Sequence, residues 1–333
     1  MAEKSKIQWT DHTFNPLIGC TKVSDGCKFC YAEELMDHRY HKAQWGPTGT
    51  RTRTAESNWR KVETWNRAGW MECYTCGWRG PVLGVIAGLA GFTCPQCYQV
   101  SVQPARQRVF CASLSDVFED HPAWEPVRRD LFMLIERTVN LDWLLLTKRP
   151  ENVIRLIELA QQQAGAYPDA THWLARNSNV WIGASIENQE TLDKRLPAML
   201  TVPASVIFLS CEPLLSSLDF SFESDICHCG DSMADHCWNS GHSPVAMRGN
   251  YLLEGVGWVI AGCESGAHAR PMNLAWVRGL RNQCQGARVP FFVKQLPGSH
   301  GHLLKEIDAF PADLRIREYP FIYQSHYAKE LYA

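Results

Sequence analysis

Short apolar runs recur along the chain, and between them lie segments whose apolar residues repeat at helical spacing. Runs that are apolar almost throughout predict strands buried on both faces, as in a parallel sheet. Six strands are predicted, at residues 109–112, 143–147, 180–184, 206–210, 258–262 and 290–294. A first strand is expected somewhere within residues 7–18.

Amphipathic helices are predicted between these strands. Residues 124–139 place Val127, Leu131, Leu134 and Ile135 on one face, as in a helix packed against a sheet. Further helices are predicted at 151–163, 189–200 and 274–284, the second interrupted by a proline. Because alternating strands and helices indicate parallel βαβ units, we expect an α/β fold. Its predicted form is a partial (β/α)6-type TIM-like barrel in one domain over residues 1–333.

Two cysteine-rich segments interrupt this alternation. Residues 70–104 separate the first two predicted strands, and residues 221–254 separate two later ones. Each is too short to bury a sufficient apolar core without help from a metal. The sequence therefore predicts two small zinc-binding insertions on the barrel.

Composition narrows the class of protein. The chain is 45% hydrophobic and 20% charged, which is ordinary for a globular protein. No apolar run approaches the ~18 residues that span a bilayer, and the N-terminus lacks the apolar region of a signal peptide. We therefore expect a cytoplasmic protein without membrane contact. The formal net charge of -2 gives no global basic field for nucleic acid, although it permits a local basic groove.

Fourteen cysteines supply the candidate chemistry. In a reducing cytosol they favour metal thiolates over disulfides. The first group places Cys20, Cys27 and Cys30 within eleven residues. Sulfur ligands suit iron–sulfur clusters or zinc, and three ligands leave one iron of a cubane cluster open to a cofactor or substrate. The alternative is a zinc site completed by a distant histidine or by His12.

The second group has the spacing of a zinc ribbon. Two C-x2-C pairs stand seventeen residues apart, and their cysteines are Cys73, Cys76, Cys94 and Cys97. Four thiolates close a tetrahedral structural site; a second iron–sulfur cluster is the alternative. The segment either contacts nucleic acid or has a purely structural role. The nearby aromatic and basic side chains that suit nucleic-acid contact are Trp70, Trp78, Arg79, Arg106 and Arg108.

The third group predicts a second zinc site of the Cys2His2 kind. Its expected ligands are Cys227, Cys229, His236 and His242. Either Cys237 or His228 could replace one of these ligands.

Polar residues follow five successive predicted strands. They include Ser113, Ser115, Asp116, Thr147, Lys148, Arg149, Ser185, Glu187, Ser210, Glu212, Glu264 and Ser265. The carboxyl ends of barrel strands are where catalytic groups gather, so the set predicts a shared site. For any single residue the alternative is helix capping. Lys148 and Arg149 together suit a carboxylate or a phosphate.

The three-cysteine segment resembles the radical S-adenosylmethionine (SAM) superfamily, in which a cysteine triplet follows the first barrel strand and an aromatic residue precedes the third cysteine. Phe29 has that position, although six residues rather than three separate the first two cysteines. A narrower resemblance covers most of the chain and is to a phage-associated three-cysteine-motif family of largely unassigned function. Near the N-terminus it is carried by Trp9-Thr, Asn15-Pro16, Gly19-Cys20, Gly26-Cys27 and Cys30-Tyr31-Ala32-Glu33. Further along the chain it is carried by Leu146-Thr-Lys-Arg-Pro150, Gly183-Ala-Ser-Ile-Glu187, Ser210-Cys-Glu-Pro-Leu214 and Gly262-Cys-Glu-Ser-Gly266.

The resemblance implies a [4Fe-4S] cluster on the cysteine triplet, with Phe29 beside it and SAM on the open iron. It implies that Ser113, Ser115 and Asp116 lie where SAM's amino group binds, although that superfamily's glycine-glycine-glutamate string is absent. Candidate ribose contacts are Ser185 and Glu187, and candidate groups that bind substrate or move protons are Glu212 and Glu264, together with Lys148 and Arg149.

The expected activity is reductive cleavage of SAM to methionine and a 5′-deoxyadenosyl radical, which takes a hydrogen atom from substrate. An external electron donor is required. A nucleobase, nucleotide, DNA or RNA is the expected substrate, for example thymidine remodelled in phage DNA, in a bacterium or a phage-infected host cell. Two alternatives are a non-catalytic zinc-dependent nucleic-acid-binding protein and a cluster-containing protein that never cleaves SAM.

Overall fold

Seven parallel strands and one antiparallel strand form the central sheet. The computed structural model describes residues 5–88, 91–221, 253–266, 268–298 and 302–320. The strands are β1 (His12–Thr13), β2 (Gln107–Cys111), β3 (Leu141–Thr147), β4 (Val180–Ser185), β5 (Val206–Cys211), β6 (Trp258–Gly262), β7 (Phe291–Pro297) and β8 (Leu303–Leu304). Their spatial order equals their chain order, and β8 alone of these eight runs antiparallel to its neighbour. The sheet curls into a half-barrel, which confirms the α/β class and a mostly parallel sheet.

All six internal strands overlap the predicted ones because burial on both faces leaves a nearly continuous apolar run. Every residue of β4 and β5 is buried, for example. The largest difference is at β7, which begins at Phe291 rather than Pro290 and continues to Pro297. Proline has no N–H for the strand ladder, and this accounts for the later start.

Helices cover one face of the sheet. They are α1 (Glu56–Arg67), α2 (Trp124–Arg137), α3 (Val153–Gln163), α4 (Ala170–Arg176), α5 (Gln189–Leu200) and α6 (Leu274–Ala287). α5 begins with a capping box between Asn188 and Thr191 and continues through Pro197 to Leu200, so the expected interruption is absent. Among the described residues, no helix has both the length and the apolar character needed to cross a bilayer.

The other face of the sheet is filled by aromatic side chains. Trp9, Trp181, Phe208 and Trp258 pack there with their ring centroids about 6 Å apart, several of them edge to face. Aromatic rings therefore fill much of the space on this face of the sheet.

The first cysteine-rich insertion forms two small antiparallel sheets. Its strands are Trp70–Cys73, Arg79–Pro81, Ile86–Gly88, Gly91–Thr93 and Val102–Ala105. Arg79 bridges Glu72 of the insertion and Asp11, which lies directly before β1. The insertion is thus fixed to the amino ends of the strands. The second predicted insertion, with Cys227, Cys229, His236 and His242, lies outside the described residues except for its ends.

We expect Gly183→Ala to destabilise the fold, because a Cβ there would lie 2.3 Å from the Phe208 ring between two buried strands. The expected loss in free energy of unfolding is about 1–3 kcal/mol, the usual cost of overpacking. The matched control is Gly279→Ala in α6, where the Cβ meets nothing within 4 Å, and helix propensity should raise stability by about 0.5–1 kcal/mol. Urea unfolding measures the free energy of unfolding of both variants, provided that the dependence of this free energy on urea concentration is the same for both. Equal unfolding midpoints for the two variants would contradict the close contact between Gly183 and Phe208.

Candidate functional site

A cavity of about 430 Å³ lies at the carboxyl ends of the strands. The three cysteines Cys20, Cys27 and Cys30 line it together with Phe29. The strand-end residues that line it are Ser113, Ser115, Asp116, Thr147, Lys148, Arg149, Ser185, Ser210, Glu212, Glu264 and Ser265. The fold therefore brings the cysteine triplet and the polar strand ends to one place. The volume of the cavity is in the range of small-molecule sites.

The cysteine loop is docked onto a buried carboxylate. A Cβ on Gly26 would lie 2.4 Å from the carboxyl group of Glu187, so only glycine permits this approach. Ser24 Oγ donates a hydrogen bond to Glu187 Oε1 at 3.1 Å. The segment between Cys20 and Cys27 is thereby held against the end of β4.

Glu187 is fully buried and is paired with two cations. Lys148 Nζ lies 2.6 Å from Oε1, and Arg195 Nη1 lies 2.8 Å from Oε2. Burial alone would raise the pKa of Glu187, but Lys148 and Arg195 outweigh it and hold that pKa below its ordinary value. Lys148 is consequently engaged inside the protein, and Arg195 is a site residue that sequence reasoning missed.

Asp116 joins the ends of β2 and β3. Its two oxygens accept hydrogen bonds from Thr147 Oγ1 at 2.7 Å, from Lys148 N at 3.0 Å, from Phe118 N at 3.0 Å and from Arg149 Nη1 at 2.8 Å. With four donors, the carboxylate has little remaining capacity for a ligand. Its geometry is that of a residue that positions the strand ends.

Arg149 connects this hub to the cysteine loop. Its Nη1 lies 3.8 Å from Cys20 Sγ, and its Nη2 donates to Thr21 O at 2.8 Å. Burial raises the pKa of the Cys20 thiol to about 12, and Asp116 and Glu119 add to this while Arg149 opposes it. A thiolate at this position therefore depends on a positive charge, from Arg149 or from a metal.

Three further ion pairs surround the loop. Arg51 holds Glu119 through two hydrogen bonds of 2.7 Å, and both side chains are buried. Glu264 pairs with Arg270 at 2.5 Å, and Arg270 also donates to Asp25 O at 3.0 Å and lies 5.3 Å from the Phe29 ring centroid. Glu212 pairs with Lys294. Sequence reasoning did not single out Arg51, Glu119, Arg270 or Lys294.

The serines are partly committed to the protein itself. Ser113 Oγ is 3.0 Å from Asn15 Nδ2, and Ser115 Oγ donates to Leu17 O at 2.8 Å. Tyr31 OH donates to Ser113 O at 2.8 Å, which ties the residue after Cys30 to the end of β2. Ser185 is buried at the cavity wall.

The sulfur atoms of the second cysteine group lie close together. In the second group, the Sγ atoms of Cys73 and Cys97 are 3.6 Å apart, as are those of Cys76 and Cys94, and all four sulfurs lie within 4.8 Å of one another. Thiolates about 2.3 Å from one tetrahedral ion lie roughly 3.8 Å apart, so this group can hold a single metal ion.

The first group differs from the second. In the part of the chain that the structure describes, the sulfur atoms of Cys20, Cys27 and Cys30 are not gathered with a further ligand around a single point, as those of the four-cysteine group are. His12 is engaged elsewhere, because its ring stacks on Trp65 with centroids 4.1 Å apart and its Nε2 contacts Gln107 Oε1. His12 is therefore not placed to complete a zinc site at the triplet.

We expect Cys94→Ser to remove about one metal ion per chain and to lower the melting temperature, because a three-thiolate remnant no longer closes the site. Cys284→Ser is the control, since Cys284 is equally buried, in α6, but lies in no metal-binding group of the described residues. Elemental analysis and thermal unfolding measure the effect. Unchanged metal content in Cys94→Ser would contradict a metal at this group.

We expect Glu187→Gln to lower the free energy of unfolding by about 2–4 kcal/mol at pH 7, because Lys148 and Arg195 lose a buried partner charge. Since the pKa of Glu187 is lower in the folded than in the unfolded chain, its contribution is present above the ordinary value of 4.5 and is lost as pH falls through the folded pKa. The difference between variant and wild type should therefore shrink on acidification below about pH 4.5.

Urea unfolding at several pH values measures this difference. The control is Glu190→Gln, an exposed residue in the first turn of α5, which should change stability by less than about 1 kcal/mol. A difference for Glu187→Gln that is independent of pH would contradict the ion pairs.

Comparison with known proteins identifies a family without a defined activity. No curated protein and no solved structure matches the chain. Residues 4–310 match the family model described as "Protein of unknown function (DUF5131)". Because this match covers the sheet, the cysteine loop and the cavity, the chain belongs to the DUF5131 family.

Proposed function

We propose that this protein is a radical SAM enzyme. The observation that carries the proposal is the position of Cys20, Cys27 and Cys30, which open onto the cavity at the carboxyl ends of a parallel half-barrel. Among the described residues no other cysteine lines this cavity, so a cubane cluster held by these three thiolates would keep one iron without a protein ligand. In this proposal the curled sheet is a partial TIM-like barrel, and the four-cysteine group binds a structural zinc ion.

Cys20, Cys27 and Cys30 would hold a [4Fe-4S] cluster. When bound, such a cluster supplies the electron that cleaves SAM, and an external donor replenishes it. The protein's own contribution is to position and neutralise the thiolates. Arg149 places a cation 3.8 Å from Cys20 Sγ, and Glu187 with Gly26 fixes the loop between the ligands.

The cavity walls divide into an aromatic side and a polar side. Phe29 and Tyr31 lie next to the ligating cysteines and offer apolar surface to an adenine or a substrate ring. Ser185 remains our candidate for ribose contact, whereas Glu187, the other residue proposed for that role, is fully buried and paired with Lys148 and Arg195. Glu212 and Glu264 remain candidates for binding substrate, each with its charge balanced by Lys294 or Arg270.

The proposed substrate is a nucleobase, a nucleotide, DNA or RNA. The alternative, a non-catalytic zinc protein that binds nucleic acid through the four-cysteine insertion, has less support. Arg79 and Arg108 of that region are largely buried and face Glu72 and Asp11, so they have little freedom to contact phosphates.

Metal and sulfide analysis of anaerobically purified protein tests the proposal, followed by incubation with dithionite and SAM. We expect about four irons with matching sulfide per chain, zinc in addition, and release of 5′-deoxyadenosine. Zinc alone, without a brown chromophore after reconstitution, would contradict the proposal. A brown protein that leaves SAM intact would identify a cluster-containing binding protein instead.

We expect Cys27→Ala to abolish iron binding and SAM cleavage while zinc remains, because the two cysteine groups lie at opposite ends of the strands. Gly26→Ala should lower iron content by at least about half, since its Cβ would push the loop away from Glu187. Gly279→Ala is the control and should keep its iron. Parallel loss of iron and zinc in Cys27→Ala would mean that the triplet is structural.

A further inference from the structure

Two of the lysines that line the cavity have side chains without an ion-pair partner among the described residues. Of the cationic residues that line it, Lys148, Arg149 and Lys294 are paired with Glu187, Asp116 and Glu212. Lys6 and Lys305 also line the cavity, and neither side chain forms an ion pair or a hydrogen bond with any described residue. The two positive charges that remain available to a ligand are therefore not the two that the sequence suggests.

The topology puts these two lysines at the open side of the half-barrel. Lys6 precedes β1, which is the first strand of the sheet, and Lys305 directly follows β8, which is the last. No pairing between these edge strands closes the described sheet. At the amino ends of the strands, Tyr319 OH donates to Gln8 O at 3.1 Å. The two lysines therefore lie beside the two edges of the described sheet that no strand pairing joins.

The wall beside Lys6 has unsatisfied polar groups. The indole Nε1 of Trp9 and the side-chain Oε1 of Gln8 are buried and have no hydrogen-bond partner among the described residues. Both residues line the cavity. Buried polar atoms without partners call for an explanation, and a ligand bound in the cavity would provide one for these two. Phe110 and Leu146 give the same wall an apolar surface.

We propose that Lys6 and Lys305 bind a phosphate group of the substrate at the open side of the sheet, so that the substrate is a phosphate ester with an apolar or aromatic part. This inference rests on the proposed function and specifies its substrate class. Arg51 holds the planar carboxylate of Glu119 through two hydrogen bonds, a geometry that a lysine cannot offer. Two separate lysine point charges suit the several oxygens of a phosphate.

Isothermal titration calorimetry on the full-length protein, with SAM present, tests the proposal. The probes are deoxynucleoside 5′-monophosphates, the matching nucleosides without phosphate, and a single-stranded oligonucleotide. We expect the phosphate-bearing probes to bind about tenfold or more tightly than the nucleosides. Tight binding of the monophosphates identifies a mononucleotide as the phosphate source, whereas binding of the oligonucleotide alone identifies a polynucleotide backbone; both support the proposal.

The variant with Lys6→Met and Lys305→Met removes both charges and keeps most of the apolar stems. We expect it to lose about tenfold in affinity for the phosphate-bearing probe and none for the nucleoside. Lys61→Met, an exposed lysine of α1 outside the cavity, is the control and should bind as the wild type does. Equal affinity for nucleotide and nucleoside, or an equal effect of the two variants, would overturn the proposal.

Iron content and SAM cleavage, measured on the same preparations, separate this inference from the proposed function. Protein that contains iron and cleaves SAM but does not prefer phosphate overturns the lysine site alone. Protein that prefers phosphate through Lys6 and Lys305 but never contains iron supports the lysine site and overturns the radical SAM proposal.

Discussion

The buried carboxylate of Glu187 ties together three elements that are distant in sequence. It accepts a hydrogen bond from Ser24 of the cysteine loop and pairs with Lys148 after β3 and with Arg195 of α5. A buried charge is tolerated only when it is well paired. The loop, the strand end and the helix must therefore form together, and Gly26 provides the room for this contact. The arrangement of the cysteine triplet depends on this one group.

Other carboxylates around the cavity are also paired with cations. Asp116, Glu119, Glu212 and Glu264 each have a cationic partner, and Arg149 reaches from Asp116 to Cys20. Such a network fixes side chains before any ligand binds, at the cost of removing them from direct ligand contact. The groups that hold the site in shape are thus largely distinct from the cations left for substrate.

The two ends of the strands have different tasks. The carboxyl ends carry the cavity and the cysteine triplet. The amino ends carry the four-cysteine insertion, which Arg79 fixes to Asp11 and Glu72. The insertion is thus held at the end opposite the cavity, beside the edge strand β1. A metal ion bound by its four cysteines would be far from the cavity, which favours a structural role for that ion.

Sequence reasoning reached the α/β class and the mostly parallel sheet, and it named most of the strand-end residues that line the cavity, but not the contacts between them. The buried strands were predictable because burial on both faces produces apolar runs. Helix α1 was missed although Trp59, Val62 and Trp65 repeat at helical spacing within it, and α4 was missed because seven residues give a weak pattern.

Counter-ions were not predictable. Glu119 and Arg51 are 68 residues apart, and only the topology determines that they meet. For the same reason Lys148 and Arg149 were expected to bind an anionic ligand, whereas both are engaged by carboxylates of the protein. The third cysteine and histidine group remains a prediction, because its residues lie outside the described part of the chain.

Anomalous diffraction from crystals of anaerobically prepared protein, recorded at the iron and zinc absorption edges, tests the central claim most directly. We expect an iron signal between Cys20, Cys27 and Cys30, facing the cavity, and a zinc signal among the four cysteines of the insertion. A zinc signal at both cysteine groups, with no iron at the triplet, would contradict it.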